Sequence, residues 1–382
     1  MKMNRVRAAV IGCGMISEKY FENITKRFSI LELVSCSDLV PEKAAAAAEK
    51  YNIRHMTNEE ILSDPTIELV LNLTYASAHY EVNRAILLAG KHCYSEKMMC
   101  LTLEQARELD KIRLEKGVYF AVAPDTFLGA SQQTARMIID RGLIGEPLSA
   151  IVHLSRGYHM IKTDTDDAVR KFSVMCEGGG IPFDMGGYYL HELFNIAGPV
   201  ESLSGYSSTR KANRPYLNPR HTNFGENYFV NTPNTVSACM KFRSGMSCQL
   251  DISSEYHYTE QVFTIYGTEG TLYLADPNNF GDKIYFKRGG DAAERLEYPL
   301  SHPYAKESRG IGAADMAWAI RTGRKPRLSF EMGYHALEVI LGIEKSDIEG
   351  KRVQFDTVFE RPAPISTEFY TGTSEERSLF IS

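Results

Sequence analysis

The sequence predicts an α/β protein in which an N-terminal, doubly wound parallel sheet is followed by an α+β domain with a large, mostly antiparallel open sheet. In the first third of the chain, buried-strand and helical patterns alternate about every 25 to 35 residues, as in parallel sheets covered by helices. After Val200, strand patterns follow one another without intervening helices, which is typical of antiparallel sheets. The 382 residues suffice for two or three domains, and we expect a boundary between residues 1–123 and 124–382.

The first strand and the turn after it predict a Rossmann-type dinucleotide site. The apolar run Val6–Ile11 suits a strand buried on both faces, and a helical pattern begins directly after Gly12-Cys13-Gly14. In the pattern G-x-G-x-x-G, the first glycine allows the tight turn and the second lets backbone approach a pyrophosphate; Ser17 takes the third position. A tight turn without a ligand is the alternative. We expect cofactor contacts from Gly12, Gly14, Met15 and Ile16.

An acidic residue follows the second strand at the position that distinguishes NAD from NADP. The apolar run 30–36 ends shortly before Asp38, roughly 20 residues or a little more past the glycines. A carboxylate there accepts hydrogen bonds from ribose hydroxyls and repels a 2′-phosphate. Its alternative role is to cap the helix that starts at Pro41, and the two roles are compatible. We expect NAD as the cofactor, with NADP as the alternative.

The remaining strands of the first domain also end at polar residues. Helical patterns at 41–51, 57–62, 79–88 and 103–116 surround strand patterns at 67–73, 91–95 and 118–122. Ligands of parallel sheets bind beyond the carboxyl ends of the strands, so we expect these ends to line the site. The candidates are Thr74, His79, Glu96 and Lys97 for the cofactor, and Asp125 and Thr126 for the substrate.

Lys97 is also the first candidate catalytic residue, because a side chain at the carboxyl end of a parallel strand lies at the ligand crevice. A cation in that position stabilises an alkoxide as a hydride leaves the substrate carbon. The alternative for an isolated lysine is a solvated surface charge.

The stretch Gly178–Pro199 predicts a helix that completes the site. Pro182 suits the first helical turn, and a Gly-Pro pair ends the helix. Asp184, Tyr188 and His191 fall at i, i+4 and i+7, so at about 3.6 residues per turn they share one face. A carboxylate, a phenol and an imidazole on one face can line a site and carry protons. Taken singly, each has an alternative: complementing the helix dipole, packing, or lying at the surface.

The rest of the second domain is predicted to be strand-rich. A helix at 131–141 and a strand at 148–154 come first, and Arg156, Tyr158 and His159, just past that strand, are candidate substrate contacts. Strand patterns follow at 236–242, 246–252, 261–266 and 284–287, with a hairpin-like signal at 267–273 and late helices at 310–322 and 331–344. The segment Thr209–Asn231, rich in Asn, Pro and Tyr, is predicted to be a long loop that closes over the substrate.

The composition is that of an ordinary globular protein and excludes several classes of partner. With 43% hydrophobic residues, 24% charged residues and a net charge of −5, the chain has no electrostatic case for binding nucleic acid or an anionic membrane. No stretch of about 18 apolar residues occurs, so we expect no membrane segment. The seven cysteines have no C-x-x-C spacing, which favours free thiols in a reducing cytoplasm over disulfides or a metal site.

Four pieces of the sequence carry a family resemblance. In chain order they are GCGMIS, SDLVPEKA, LVLNLTYASAHYEVNRAILLAGKHCYSEKMM and GGGIPFDMGGYYLHELFNIAGPV. Together they resemble the Gfo/Idh/MocA family, the sugar and inositol dehydrogenases related to glucose–fructose oxidoreductase. The resemblance implies an NAD(P)-dependent oxidoreductase that acts on a secondary hydroxyl of a sugar, glycoside or polyol. Some members bind nucleotide or sugar without chemistry, but such a relative tends to lose Lys97 or Asp184, and this chain keeps both.

The resemblance also implies residue roles. Glu96 would contact the ribose on the nicotinamide side, and Lys97 would hydrogen-bond the reacting hydroxyl. Asp184 and Tyr188 match the family's catalytic-helix pair, and His191, one turn further on, would contact the substrate in preference to acting as the base. Because the C-terminal sheet of the family commonly builds dimers or tetramers, we expect a homodimer or homotetramer.

One position departs from the family pattern. The family has Glu-Lys-Pro after the fifth strand, commonly with the proline in a cis bond, and this chain has Glu96-Lys97-Met98. A cis bond to methionine costs about 2.5–4 kcal/mol. We therefore expect a trans bond or a different loop path at Met98.

Overall fold

The computed structural model of the chain describes residues 4–156, 179–216, 219–220 and 222–366. Tyr158 and His159, both predicted to contact the substrate, lie outside the described residues. In the described ranges, no helix combines the length and the apolar character needed to cross a bilayer.

Six strands of the N-terminal half form one parallel sheet, as predicted. They are β1 (Val6–Ile11), β2 (Leu31–Ser37), β3 (Arg54–His55), β4 (Leu69–Asn72), β5 (His92–Ser95) and β6 (Phe120–Val122). The helices between them are α1 (Ser17–Lys26), α2 (Pro41–Tyr51), α3 (Asn58–Ser63), α4 (Ala76–Leu88) and α5 (Leu103–Lys116). The strand order β3-β2-β1-β4-β5-β6 reverses between β1 and β4, which is where doubly wound sheets bind their ligands.

Burial and capping explain why these segments form. All four residues of β4 and nearly all of β1 are buried, because helices cover both faces of the sheet. α3 and α5 begin with capping boxes, in which Thr57 and Thr102 accept a hydrogen bond from the backbone N–H three residues on. α5 ends at Gly117, whose φ of +64° is the left-handed conformation that glycine adopts without strain.

The C-terminal half contains a nine-stranded sheet and a separate short hairpin. The sheet strands are β7 (Pro147–Ser155), β8 (Val200–Ser208), β11 (Thr235–Phe242), β12 (Ser247–Ser253), β13 (Glu260–Gly267), β14 (Gly270–Tyr273), β15 (Ile284–Arg288), β16 (Leu296–Tyr298) and β17 (Val353–Gln354), and the hairpin strands are β9 (Asn213–Pro215) and β10 (Asn227–Phe229). The order in the sheet is β16-β15-β14-β13-β7-β12-β11-β8-β17. β7 and β12 run parallel, and the other neighbours run antiparallel, so the predicted mostly antiparallel sheet is confirmed.

Helices cover one face of this sheet. The C-terminal helices are α6 (Ala130–Asp140), α7 (Gly187–Ala197), α8 (Ile311–Thr322) and α9 (Phe330–Glu349), and α9 packs along β8. On β11, Val236, Ala238 and Met240 are buried, whereas Cys239 and Lys241 between and after them are exposed. This period of two shows that one face of the sheet is core and the other is open.

The two late helices tie the halves together. α8 contacts β1, and α9 contacts α5 and β6. Arg321 Nη2 in α8 lies 2.6 Å from Glu68 Oε1, and the rings of Phe120 and Phe330 are 5.7 Å apart. Part of the N-terminal sheet is therefore covered by residues from near the end of the chain.

The segment Thr209–Asn231 is not irregular throughout. β9 and β10 pair within it as an antiparallel hairpin, and the rings of Tyr216 and Tyr228 lie 5.0 Å apart. The predicted long loop is wrong for these strands, because their aromatic residues pack against each other instead of remaining in an irregular segment.

Candidate active site

The glycine turn after β1 combines a close backbone contact with an open side. Gly12 has a φ of +101°, and a Cβ on it would lie 2.7 Å from the backbone carbonyl of Leu73 at the end of β4. A Cβ on Gly14 would meet no atom within 4 Å, so this side of the turn faces open space. α1 starts at Ser17, and no side chain caps its first turn. The uncapped N-terminus of α1 and the space at Gly14 fit the pyrophosphate of a dinucleotide.

Asp38 braces this turn from the end of β2. Its Oδ2 accepts a hydrogen bond from the Cys13 backbone N at 2.7 Å, and its Oδ1 accepts one from the Val40 backbone N at 2.8 Å. Val40 is the N-cap residue of α2 and no side chain caps that helix, so the alternative role of Asp38 as the helix cap is wrong. A carboxylate has about four lone-pair sites, which leaves Asp38 able to accept further bonds from ribose hydroxyls.

A buried polar network joins the ends of β4 and β5. His79 is 1% exposed; its Nε2 lies 2.9 Å from the Thr74 carbonyl oxygen and its Nδ1 lies 2.6 Å from the Met98 carbonyl oxygen. Burial lowers the pKa of His79, and a neutral imidazole donates to one of these oxygens at a time. Asn83 Nδ2 extends the network by donating to the Met99 carbonyl at 3.0 Å. His79 therefore connects two loops of the site and does not itself lie open to a cofactor, whereas Thr74 is partly exposed.

Lys97 and Asp184 come together from the two halves of the molecule. Lys97 Nζ donates to the carbonyl oxygen of Asp184 at 2.9 Å and to its Oδ1 at 3.1 Å. Burial opposes the charge on the lysine, but the neighbouring acidic side chains, Tyr188 and Asp184 first, outweigh burial and hold the pKa of Lys97 above its usual range. Lys97 is therefore a cation and a hydrogen-bond donor at neutral pH, and not a base.

The peptide bond between Lys97 and Met98 is cis, so the expected trans bond is wrong. The Met98 carbonyl oxygen is fixed by the contact with His79 Nδ1, and the Met98 side chain is buried in the core. These two contacts define the path of the loop that delivers Lys97 to Asp184.

Tyr188 completes the cluster from the helix that carries Asp184. Lys97 Nζ lies 5.2 Å from the centroid of the Tyr188 ring. Burial raises the pKa of Tyr188, while the two cations beside it, Lys97 and Arg309, act in the opposite direction. The phenol is protonated at neutral pH and can exchange a proton as charge develops on a substrate oxygen.

Glu96 is held at the end of β5 by two protein donors. Its Oε1 accepts a hydrogen bond from the Tyr20 hydroxyl at 2.7 Å, and its Oε2 accepts one from the Lys97 backbone N at 3.2 Å. The carboxylate is partly exposed at this strand end. Its contact with the nicotinamide-side ribose stays a prediction.

His191 follows Tyr188 by three residues in α7 and is buried. Pro182–Gly186 forms a turn of π-helix ahead of α7, with hydrogen bonds that span five residues instead of four, so later side chains are rotated relative to regular helical spacing. His191 is 2% exposed and packs on Phe194, with 6.2 Å between ring centroids, and burial lowers its pKa to about 4. Among the described residues, Lys97 contacts both Asp184 and Tyr188, and no contact joins Lys97 to His191, so the role of His191 stays a prediction.

Asp125 and Thr126 are buried at the junction between the halves, each 1% exposed. Asp125 Oδ2 accepts hydrogen bonds from the backbone N of Gly310 at 2.8 Å and of Gly312 at 3.0 Å. Burial raises the pKa of Asp125 to about 6. Both residues were expected to contact the substrate, but Asp125 instead anchors the chain segment that leads into α8, and Thr126 has no exposed surface to offer.

Family models match both halves of the chain. Residues 6–123 match the NAD-binding Rossmann-fold domain of the Gfo/Idh/MocA oxidoreductases, and residues 132–273 match the C-terminal domain of the same family. The chain belongs to the Gfo/Idh/MocA family. The residues that hold the glycine turn and Asp38 in place fit NAD, and the resemblance seen in the sequence is confirmed.

Relatives of this Gfo/Idh/MocA chain include named dehydrogenases. It is 29% identical over 171 residues to D-xylose dehydrogenase of Paenarthrobacter nicotinovorans, a match that spans 44% of each chain and so less than half of that relative. It is 22% identical over 362 residues to scyllo-inositol 2-dehydrogenase (NAD(+)) of Bacillus subtilis, covering 92% of this chain and 97% of the relative. Among solved structures, levoglucosan dehydrogenase in complex with NADH superposes with a TM-score of 0.78 at 20% identity, covering 94% of this chain and 100% of that one, which establishes a shared fold.

Arg156 lies at the end of β7 in an ion pair. Its Nη2 donates to Asp276 Oδ2 at 2.8 Å, and Asp276 Oδ1 accepts a hydrogen bond from the Asn278 backbone N at 3.0 Å. Among the described residues, no contact joins Arg156 directly to Lys97. Its contact with the substrate stays a prediction.

Arg309 is a residue of this Gfo/Idh/MocA site that the sequence patterns did not mark. It precedes α8, and its guanidinium lies close enough to the Tyr188 phenol to affect the pKa of that group. Its Nη2 donates to Asn278 Oδ1 at 2.7 Å, and its Nη1 pairs with Glu307. An arginine at the start of a helix is unfavourable for the helix dipole, and this was the one signal in the sequence that could have drawn attention to it.

Proposed function

We propose that this chain is an NAD-dependent dehydrogenase that transfers a hydride between the cofactor and a secondary hydroxyl of a sugar, glycoside or polyol. The observation that carries the proposal is the cluster of Lys97, Asp184 and Tyr188, in which a partly buried cation is fixed beside a phenol at the carboxyl end of β5. The substrate class is supported by the relatives that act, by name, on D-xylose and scyllo-inositol.

Each residue of the cluster has a defined part in the proposed reaction. The glycine turn and Asp38 would hold NAD, which would supply the hydride acceptor for the substrate carbon. The Lys97 ammonium donates a hydrogen bond to the substrate oxygen and stabilises the negative charge that develops there. Asp184 fixes the position of that ammonium, and Tyr188, as the phenolate formed when the phenol loses its proton to solvent, accepts the hydroxyl proton.

The test is sugar-dependent formation of NADH by the purified full chain, measured over a panel of pentoses, hexoses, inositols and anhydrosugars. Lys97→Ala removes the cation at the reacting oxygen, and we expect kcat/KM to fall about 100-fold or more. Lys283→Ala is the matched control, because Lys283 is an exposed lysine whose ion-pair partner is Glu297 and not a residue of the cluster.

Binding of NADH to each variant, followed by fluorescence, separates a catalytic defect from loss of the cofactor site. Unchanged turnover in Lys97→Ala would refute the role of Lys97. A wild-type chain that binds NADH and a sugar but converts none of the panel would favour a binding protein over an enzyme.

We also propose that the chain forms a homodimer or homotetramer through the open face of the nine-stranded sheet and works in the reducing cytoplasm. The open face presents exposed apolar and aromatic side chains, including Tyr206, Val262 and Tyr266, among shorter polar ones. The six cysteines in the described ranges are free thiols, which supports a reducing compartment.

A further inference from the structure

Tyr20 connects the helix after the glycine turn to the carboxylate at the end of β5. Its hydroxyl donates to Glu96 Oε1 at 2.7 Å, although the two residues are 76 positions apart in the sequence. The Tyr20 side chain has no exposed surface, and burial raises the pKa of its phenol. The hydroxyl therefore keeps its proton at neutral pH and donates it to Glu96, because water has no access to replace that acceptor.

Contacts from β5 and from the segment before α8 hold the Tyr20 ring in place. The ring meets Tyr94 of β5 edge to face, with 6.0 Å between the centroids. On another side, a Cβ on Gly310 would lie 3.5 Å from Tyr20 Cδ1. Asn23, also on the buried face of α1, donates from Nδ2 to the Arg309 carbonyl at 3.0 Å. The ring therefore has little freedom to turn its hydroxyl toward another acceptor.

α1 carries both this hydroxyl and the N-terminus that fits a pyrophosphate. Ser17, the first residue of α1, donates from Oγ to the Gly14 carbonyl at 2.6 Å, which joins the glycine turn firmly to the helix. Tyr20 comes three residues later, which at about 1.5 Å per residue is about 4.5 Å along the helix axis. α1 therefore fixes the distance between the pyrophosphate end of the site and the hydroxyl that holds Glu96.

Both oxygens of Glu96 have a protein donor. Tyr20 holds Oε1, and the Lys97 backbone N donates to Oε2 at 3.2 Å. A carboxylate has about four lone-pair sites, so this partly exposed group can still accept hydrogen bonds from a ligand. Because its orientation is already fixed, little conformational entropy is lost when a ligand binds to it.

We propose that Tyr20 is a positioning residue for the nicotinamide half of NAD: its hydroxyl holds the Glu96 carboxylate in the orientation that accepts hydrogen bonds from the ribose on that side. This inference rests on the proposed dehydrogenase function, in which Glu96 contacts that ribose. Tyr20 acts through Glu96, since its own side chain has no exposed surface. A buried tyrosine that only stabilised the fold would affect the binding of both halves of the cofactor alike.

The experiment compares the dissociation constants of NADH, measured by fluorescence, and of ADP, measured by calorimetry, for the purified full chain. ADP contains the adenosine and a pyrophosphate but lacks the ribose on the nicotinamide side. We expect Tyr20→Phe to weaken NADH binding by about 3- to 10-fold, because water replaces only part of the lost hydrogen bond at the carboxylate. We expect its ADP binding to stay within about twofold of the wild type, since the adenosine half does not depend on Glu96.

Glu96→Ala and the double variant show whether Tyr20 acts through Glu96. In Glu96→Ala the acceptor is already absent, so we expect the additional Tyr20→Phe change to alter the NADH dissociation constant by less than about twofold. Effects of the two substitutions that multiplied independently would overturn the inference.

Tyr80→Phe is the matched control. The Tyr80 hydroxyl donates to Glu108 Oε2 at 2.5 Å, so this variant removes the same kind of hydrogen bond from the same domain, between α4 and α5. Neither residue is a predicted site residue, and we expect both nucleotides to bind as in the wild type. Tyr20→Phe removes a single oxygen and keeps the ring that packs on Tyr94, and melting temperatures show that each variant is folded.

The remaining outcomes separate this inference from the proposed function. An unchanged NADH affinity in Tyr20→Phe, or equal weakening of NADH and ADP, would overturn the inference while leaving the dehydrogenase function intact. If the wild type bound NADH but oxidised no sugar, the proposed function would fail. An effect of Tyr20→Phe on NADH that disappeared in Glu96→Ala would still support the positioning role in that case.

Discussion

Asp38 has two roles, one in holding the glycine turn and one in the choice of cofactor. Both of its carboxylate oxygens accept hydrogen bonds from backbone N–H groups, one of them in the glycine turn itself. Its charge also opposes a 2′-phosphate on the adenosine ribose. A change at this residue therefore affects both the shape of the turn and the choice of cofactor.

Asp38→Asn keeps an oxygen acceptor and removes the charge, and Asp38→Ser shortens the side chain. Because a hydrogen bond to a charged group contributes about 1.5–3 kcal/mol, we expect both variants to weaken NADH binding by about tenfold or more and to reduce the preference over NADPH. Dissociation constants for the two nucleotides, measured by fluorescence, check this. A wild-type chain that prefers NADPH would contradict the assignment of Asp38.

The contrast among single residues shows what the sequence could reveal. Lys97 and Asp38 follow buried strands, and position at a strand end is visible in an apolar pattern. His79 was also predicted because it follows a strand end. Its hydrogen-bond partners could not be predicted, because they are the backbone carbonyl oxygens of Thr74 and Met98 and do not depend on residue type. Arg309 was missed because its neighbours in space are far from it in sequence.

Among the elements, the helix with Asp184 and Tyr188 shows how spacing arguments fail. Counting about 3.6 residues per turn placed three side chains on one face. The π-helical turn over Pro182–Gly186 changes that count, and π turns have no reliable sequence signature. Because the turn ends between Asp184 and Tyr188, it alters the angle between those two side chains, whereas Tyr188 and His191 both follow it in regular helix.

The short segment that leads into α8 is the element on which Arg309 depends. Asp125 holds it by accepting two backbone hydrogen bonds, and burial raises the pKa of Asp125 to about 6, against the opposing charge of Arg309. This pKa is above the ordinary value of 3.8, so the folded state binds the proton more tightly than the unfolded chain. The contribution of Asp125 to stability therefore decreases as the pH rises from 3.8 to about 6.

Asp125→Asn removes the buried charge and keeps an oxygen for both N–H groups. Relative to the wild type, we expect its free energy of unfolding to increase between about pH 4 and pH 6, by on the order of 1–3 kcal/mol, and to stay higher above that range. Urea unfolding at several pH values measures this difference. The exposed Asp291→Asn is the control, and a difference that did not vary with pH would contradict the raised pKa of Asp125.

At the scale of the whole molecule, the open face of the nine-stranded sheet is the surface proposed to join subunits. Val262 is 37% exposed on β13, which lies beside β7 in the middle part of the sheet. A lysine there would bring charge into an apolar contact, so we expect Val262→Lys to lower the mass of the assembly at micromolar concentration to that of a smaller oligomer or monomer. Val358→Lys, at an exposed valine outside the sheets, is the control.

Light scattering coupled to size-exclusion chromatography gives these masses. A monomeric wild type at that concentration would contradict the proposed interface.

The strands of the C-terminal half were predictable because apolar and polar residues alternate along each of them with a period of two. The order of its strands was not, since β7 reaches the centre of the sheet through pairings with strands about a hundred residues later.

The return of α8 and α9 to the N-terminal sheet has a consequence for biosynthesis. β1 to β6 leave the ribosome first, but their packing partners include residues that are translated much later. Phe120 packs on Phe330, and Gly310 lies against Ile24 and Phe28. Until the last of these late helices has emerged, apolar surface on β6 and α5 has no cover. In the nascent chain, the N-terminal sheet therefore stays incompletely covered while the nine-stranded sheet is translated. We expect the chain to be most prone to aggregation during that period.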